Sequence, residues 1–252
     1  MAFWRSRHLK HMRLRPYAPV RAANEDPWAS MRNTHPNWGN SSRCFVAFRG
    51  CLGYYDALTC TKGPLLPQRL KERIQLILDE IQDVLARVPS KPIEELVEAI
   101  CRAEQVFLYG QGRTGHVTRS FAVRLMHLGL KVHFVGETTT PPITKRDLCI
   151  VNSGTGETRF VYHVAVAAKE AGACLATITS RPSARIGAMA DIVAEIPAPT
   201  KGQPFGPSAS RQPAGSLFEQ TAMIIMEAIV LMLIDRLAQT PTSLLERHTN
   251  IE

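Results

Sequence analysis

The chain has six cysteines, at 44, 51, 60, 101, 149 and 174, but no C-x-x-C pair and no histidine beside them at metal-ligand spacing. That excludes a zinc ribbon or finger, offers no disulfide framework, and fits thiols kept reduced in a cytoplasmic protein. A membrane span is lacking too. The longest apolar run, MIIMEAIVLMLI at 223–234, is interrupted by Glu227 and is shorter than the roughly 20 residues a helix needs to cross a bilayer. There is no secretory apolar core at the N-terminus. The stretch MAFWRSRHLKHMRLRPYAPVRA is Arg-rich and acid-poor, which weakly resembles an organellar transit peptide and equally fits a disordered extension or a start assigned too far upstream. A basic folded surface is also missing. The formal net charge is +8, but residues 1–62 hold ten Lys and Arg against three Asp and Glu, while residues 63–252 hold twenty against nineteen. A nearly neutral folded part argues against nucleic acid as a partner. Residues 1–62 show no sustained helical or strand period, so the chain divides into a basic extension (1–62) and a folded domain (63–252).

From Pro64 the pattern changes. Leu66, Leu70, Ile74, Ile77, Ile81, Val84 and Val88 recur at three- and four-residue steps, which predicts a long amphipathic helix over 64–88. A second helix is predicted over 92–103, with Pro92 in its first turn and acids near its positive end. Strands and helices then alternate. VFLY (106–109), KVHFV (131–135), LCIVN (148–152), CLATITS (174–180) and DIVAEIP (191–197) read as strands, and 116–129, 159–172 and a short segment near 185 as helices. Five strands with helical crossovers make an α/β fold, a five-stranded parallel sheet with helices on both faces. The Pro/Gly/Ser-rich stretch 197–215 is a loop. The final helix, 216–237, is apolar over most of its circumference, which requires burial against the sheet, another helix or a second subunit.

Two glycine-rich turns follow buried strands and precede helices, where backbone N–H groups favour an anion. GQGRTG (110–115) satisfies G-x-G-x-x-G, and Glu137 stands about where the ribose-binding acid of an NAD site would. SGTGET (153–158) packs the hydroxyls of Ser153, Thr155 and Thr158 into six residues, a cradle for one phosphate monoester that an NAD fold does not need. Helix capping by Ser153 or Thr155 is the plainer reading of such a turn standing alone, but two such turns in one small sheet favour a ligand crevice.

The span from FLYGQGRTGHVTRSF through LCIVNSGTGET resembles the sugar-isomerase (SIS) domain of the 6-phospho-3-hexuloisomerases. RLMHLG, VGETTTP and the ending ERHTNIE are similar to stretches of that family, and the resemblance covers about 66–252. Thr114 and Thr155 stand where serine is expected, a hydroxyl-for-hydroxyl exchange. The resemblance implies a three-layer SIS fold and isomerisation of D-arabino-hex-3-ulose 6-phosphate and D-fructose 6-phosphate through a cis-enediol, in formaldehyde assimilation by the ribulose monophosphate route. It further implies a phosphosugar ligand, no redox cofactor or metal, and a homo-oligomer, a tetramer.

Moving a carbonyl from C3 to C2 requires a base for the C2 proton, a donor for the enediolate and a fixed phosphate handle. Glu219 matches the glutamate at the family's loop–helix junction and is the candidate base, although Ser216-Leu-Phe-Glu219 also reads as a capping box. His127, in the last turn of its helix, is either a proton-transfer group or a helix-end histidine. In related SIS isomerases a histidine can enter from a neighbouring subunit, and His248 is the candidate for that role. Gly112, Arg113 and Thr114 are assigned to the substrate in the first turn. Ser153, Thr155 and Thr158 are assigned to phosphate, with Gly154 and Gly156 allowing backbone approach. Thr138, Thr139 and Thr140 are read as lining the sugar, and Glu137 as a substrate contact or the acid of an NAD site. A sugar-phosphate-sensing regulator of the SIS type would carry a helix-turn-helix, for which 1–62 lack two periodic helices. An NAD oxidoreductase would need a separate substrate region, for which 63–252 leave no room.

Overall fold

The computed structural model describes residues 67–201 and 210–251. The reading of 1–62 as a basic extension, the first residues of the 64–88 helix and the middle of the 197–215 loop lie outside the described residues. The elements are α1 (Pro67–Leu85), α2 (Ser90–Arg102), β1 (Val106–Gly110), α3 (Gly112–His127), β2 (Val132–Phe134), β3 (Leu148–Asn152), α4 (Arg159–Glu170), β4 (Cys174–Thr179), α5 (Arg185–Met189), β5 (Ile192–Glu195), α6 (Ser216–Arg236) and α7 (Pro241–Leu245).

The five strands pair in parallel in the order β2-β1-β3-β4-β5. The chain steps outward from β1 to β2, then returns across β1 to begin β3. Helices leaving β1 and β3 therefore diverge to opposite faces, and a crevice opens beyond the C-terminal ends of those two strands. Gly110 and Asn152 are paired at that point.

Alternation along each strand supplies two cores. Val106, Leu108, Leu148, Ile150, Ala176 and Ile178 meet α2, α3 and α6 on one face; Phe107, Cys149, Val151 and Leu175 meet Val161, Ala165 and Ala168 of α4 and Ile186 of α5 on the other. Cys149 is buried and its thiol is pushed up to about 12 by that burial, which makes it a core residue with no nucleophilic character; Cys101 and Cys174 are free and partly exposed. α6 is long and apolar enough by composition to cross a membrane, but Leu217, Phe218, Ala222, Ile225, Met226, Ile229 and Leu233 are buried against its neighbours. Its outer residues Met223, Ile224 and Leu231 stay exposed. The expected stripe of α1 divides likewise: Ile77, Ile81 and Val84 join the core, while Leu70 and Ile74 are exposed.

Helix α3 begins inside the GQGRTG turn, four residues earlier than its hydrophobic pattern indicates, because Gln111 in extended conformation serves as its N-cap. Gly115 explains the closeness of that start to β1. A Cβ built there would lie 2.6 Å from the carbonyl oxygen of Gly110. Only glycine lets the first turn of α3 lie against the end of the strand.

The C-terminal segment folds back on α3. α7, too short to leave a periodic signal, is started by a capping box between Thr240 and Ser243. Arg247 then donates from Nη1 to the carbonyl of His127 at 3.1 Å, answering the unpaired carbonyls at the α3 C-terminus. The ring of His248 stacks on that of His127, centroids 3.9 Å apart. His127 is 5% exposed and its Nδ1 has no hydrogen-bond partner among the described residues. Burial, then the charges of His248 and Arg124, hold its pKa below the ordinary value of 6.5.

Gly115→Ala is expected to destabilise the domain by about 1–3 kcal/mol through overpacking, seen as a fall of several degrees in Tm; an unchanged Tm contradicts the close approach. Because folding favours neutral His127, its contribution is complete above pH 6.5 and is lost as pH falls below that value. The urea midpoint should therefore drop between pH 7.5 and 5.5 more steeply in the native chain than in His127→Phe. Equal slopes would contradict this.

Candidate active site

The crevice at the β1–β3 reversal holds a cavity of about 250 Å³. The β1–α3 turn contributes Gln111, Gly112, Arg113 and Thr114, and the β3–α4 turn Asn152, Ser153, Gly154, Thr155 and Thr158. Thr200 and Lys201 come from the loop after β5, and Gly215, Phe218 and Glu219 from the start of α6. Both glycine-rich turns thus line one cavity.

Glu219 is 5% exposed and accepts a hydrogen bond from Arg113 Nε. This ion pair is lopsided, since the Arg113 side chain is 69% exposed. The carboxylate's hydrogen bond and charge hold the guanidinium more firmly in its charged form. The capping-box reading of Glu219 fails for a local reason. Gly215, at φ 87°, takes the N-cap position, so Ser216 is already inside α6, no side chain caps the helix, and Glu219 falls in the fourth helical position. Freed from capping, its side chain reaches Arg113.

The second turn brings two of its hydroxyls together. The hydroxyls of Ser153 and Thr158 lie 3.1 Å apart. Thr158 is the N-cap residue of α4 but makes no side-chain cap bond, which leaves its hydroxyl available beside the positive end of the helix. The Ser153 N–H is spent on Ile178 O and the Gly156 N–H on Ser153 O, each at 3.0 Å. Gly154 passes close under the cavity wall, where a Cβ would meet Thr200 Cγ2 at 2.9 Å and Phe218 Cδ1 at 3.0 Å.

Several expected substrate residues are elsewhere. Gly156 does not line the cavity. Its φ is +65° and a Cβ would lie 2.6 Å from Ala184 Cβ, so it lets the turn pass over the start of α5. Thr138 and Thr139 are exposed and outside the cavity. Their turn closes on itself, with Thr140 Oγ1 donating to Glu137 O at 2.7 Å and Phe134 O lying 3.2 Å from the same hydroxyl. Glu137 pairs with Arg119 and does not line the cavity. His127 and His248 are not brought to Glu219 within one chain. His127 closes the helix that Arg113 opens, about 20 Å along its axis. Among the described residues no group of three or more His, Cys, Asp or Glu could hold a metal ion.

The residues not foreseen are Gln111, Asn152, Val161, Thr200, Lys201, Gly215 and Phe218. Asn152 carried a signal, as the one polar residue ending the apolar strand LCIVN. Thr200 and Lys201 lie in a loop whose composition marks no single position, and only tertiary structure carries them to the β3–α4 turn.

A family model described as the SIS domain matches residues 99–224, spanning both glycine turns and the start of α6. The chain is 36% identical over 181 residues to the 3-hexulose-6-phosphate isomerase of Bacillus subtilis, covering 72% of this chain and 98% of that relative. It is 41% identical over 183 residues to that of Mycobacterium gastri, covering 73% and 92%. A crystal structure of a Methanococcus jannaschii protein, from which a 3-hexulose-6-phosphate isomerase function was inferred, matches with a TM-score of 0.63 at 30% identity, over 72% of this chain and 99% of that one. On its strand order, its paired glycine turns and these matches, the chain belongs to the SIS-domain family.

Proposed function

We propose that this cavity isomerises D-arabino-hex-3-ulose 6-phosphate to D-fructose 6-phosphate, with Glu219 as the base. The observation that carries the reading is the meeting, in one cavity, of a hydroxyl-rich phosphate cradle and a buried carboxylate on a different element. Relatives that the chain matches over nearly their whole length bear the name 3-hexulose-6-phosphate isomerase.

In this reading the phosphate sits against Ser153, Thr155 and Thr158, at the positive end of α4, and the sugar extends toward Glu219. An arriving phosphosugar competes for the exposed guanidinium of Arg113. As Arg113 turns to ligand oxygens, the Glu219 carboxylate is released from the ion pair and can face the sugar. It takes the proton from C2; the C2–H electrons form the C2–C3 double bond, and the former carbonyl oxygen at C3 becomes the enediolate oxygen, stabilised by Arg113. The O2 hydroxyl proton passes to the C3 oxygen within the cis-enediol, a proton is returned from Glu219 to C3, and the carbonyl forms at C2. Electrons move only within the sugar, so the net reaction consumes no external oxidant or reductant.

Val123 and Met126 of α3 and Met223, Ile224 and Leu231 of α6 leave apolar side chains exposed. These apolar faces support a homo-oligomer, a tetramer by resemblance, in which His248 reaches the cavity of a neighbouring subunit. The partly exposed free thiols of Cys101 and Cys174 fit the reducing cytoplasm, and formaldehyde assimilation is the pathway that uses this reaction. A sugar-phosphate-sensing regulator would use the same cradle but would have no need of a base.

Purified protein is expected to interconvert the two hexulose phosphates. Glu219→Gln should lower kcat by about 10²–10⁴-fold while retaining fructose 6-phosphate binding, whereas Ser153→Ala should mainly raise KM, by about 10-fold. Binding without turnover in the native protein would favour the regulator. Full activity in Glu219→Gln would remove the carboxylate from the mechanism.

A further inference from the structure

Asn152 is the last residue of β3, paired with Gly110 at the strand-order reversal, and it lines the cavity. It is 1% exposed. The orientation of its amide follows from a short chain of hydrogen bonds. The Thr118 hydroxyl has a single proton, which it donates to the Thr114 carbonyl at 2.8 Å. Toward Asn152 it therefore offers only lone pairs, and the group that meets it at 3.1 Å must be the Nδ2 amino group. The amide cannot be flipped without placing two acceptors face to face.

Oδ1 is thereby left as the free arm, and it is buried with no hydrogen-bond partner among the described residues. Buried carbonyl oxygens are rarely left so, because the lost hydration is not replaced. The α3 helix that carries Thr114 and Thr118 is held against β1 by the glycine contact described above, so the acceptor is rigid. Its neighbours Ser153 and Thr158 are hydroxyls that can rotate to suit a ligand. Asn152 cannot.

We infer that Asn152 Oδ1 accepts a hydrogen bond from one hydroxyl of the bound phosphosugar and selects for ligands that carry it. The inference rests on the phosphosugar reading of the cavity. It makes Asn152 a specificity residue with no part in proton transfer. A ligand lacking that hydroxyl leaves the acceptor unpaired, and buried unpaired groups discriminate far more strongly than a small change in apolar contact.

The test measures binding of D-fructose 6-phosphate to the full chain by calorimetry, alongside analogues deoxygenated singly at each hydroxyl-bearing carbon. In the native protein one analogue is expected to bind about 10- to 100-fold more weakly than the parent sugar. In Asn152→Leu, of similar size but without an acceptor, the parent sugar weakens and that penalty disappears. Asn152→Asp keeps an acceptor and keeps the penalty, even where the added charge lowers affinity for every ligand. If the leucine variant fails to fold, Asn152→Ala replaces it. An unchanged set of penalties in the variant without an acceptor, as a lone water on Oδ1 would give, overturns the inference and leaves the isomerase reading intact. The absence of any penalty in the native protein overturns it equally. Failure of the native protein to bind fructose 6-phosphate overturns both.

Discussion

A carboxylate buried at the start of one helix and answered by a guanidinium from the start of another is the contact on which the crevice depends. An unpaired charge at the position of Glu219 would cost several kcal/mol, by the general penalty for leaving one partner of a buried pair alone. Arg113 can answer it only because α3 begins directly at the end of β1, which in turn requires Gly115 to lie against Gly110. α6 is fixed from the other side by its apolar inner face, which packs on α3 and α1. Strand order, one glycine and one helix interface therefore converge on a single ion pair. The N-terminus of α6 adds its own preference for a negative group.

The two glycine-rich turns have different duties. In GQGRTG, Gly110 and Gly115 serve strand–helix packing, Gly112 faces open space at the cavity, and Arg113 reaches Glu219. In SGTGET the hydroxyls face the cavity, while Gly154 and Gly156 let the turn pass beneath Phe218 and over Ala184. A fingerprint associated with dinucleotides is satisfied here by packing requirements that any strand–turn–helix crossing of this closeness shares.

Local pattern made the sheet legible. Period-two and continuous apolar runs located all five strands, and their spacing implied parallel crossovers. What pattern could not supply was set by backbone geometry or by distant neighbours. SLFE is written as a capping box, but the left-handed Gly215 takes the cap and moves Glu219 one position inward. The threonines after Glu137 looked suited to a sugar, yet their turn satisfies its own hydrogen bonds. Lys201 and Thr200 reach the cavity through a loop that follows β5, a contact no period encodes. The histidines at 127 and 248 were both singled out, and the fold stacks them on each other, joined through Arg247, at the end of α3 far from Glu219.

Proton exchange tests the central claim most directly. D-Fructose 6-phosphate incubated with the protein in D2O is followed by proton NMR. A base that forms the 2,3-enediol should wash out the C3 proton while both C1 protons persist. Exchange at C1, or no exchange at either carbon, would contradict the assignment of this cavity to carbonyl transfer between C2 and C3.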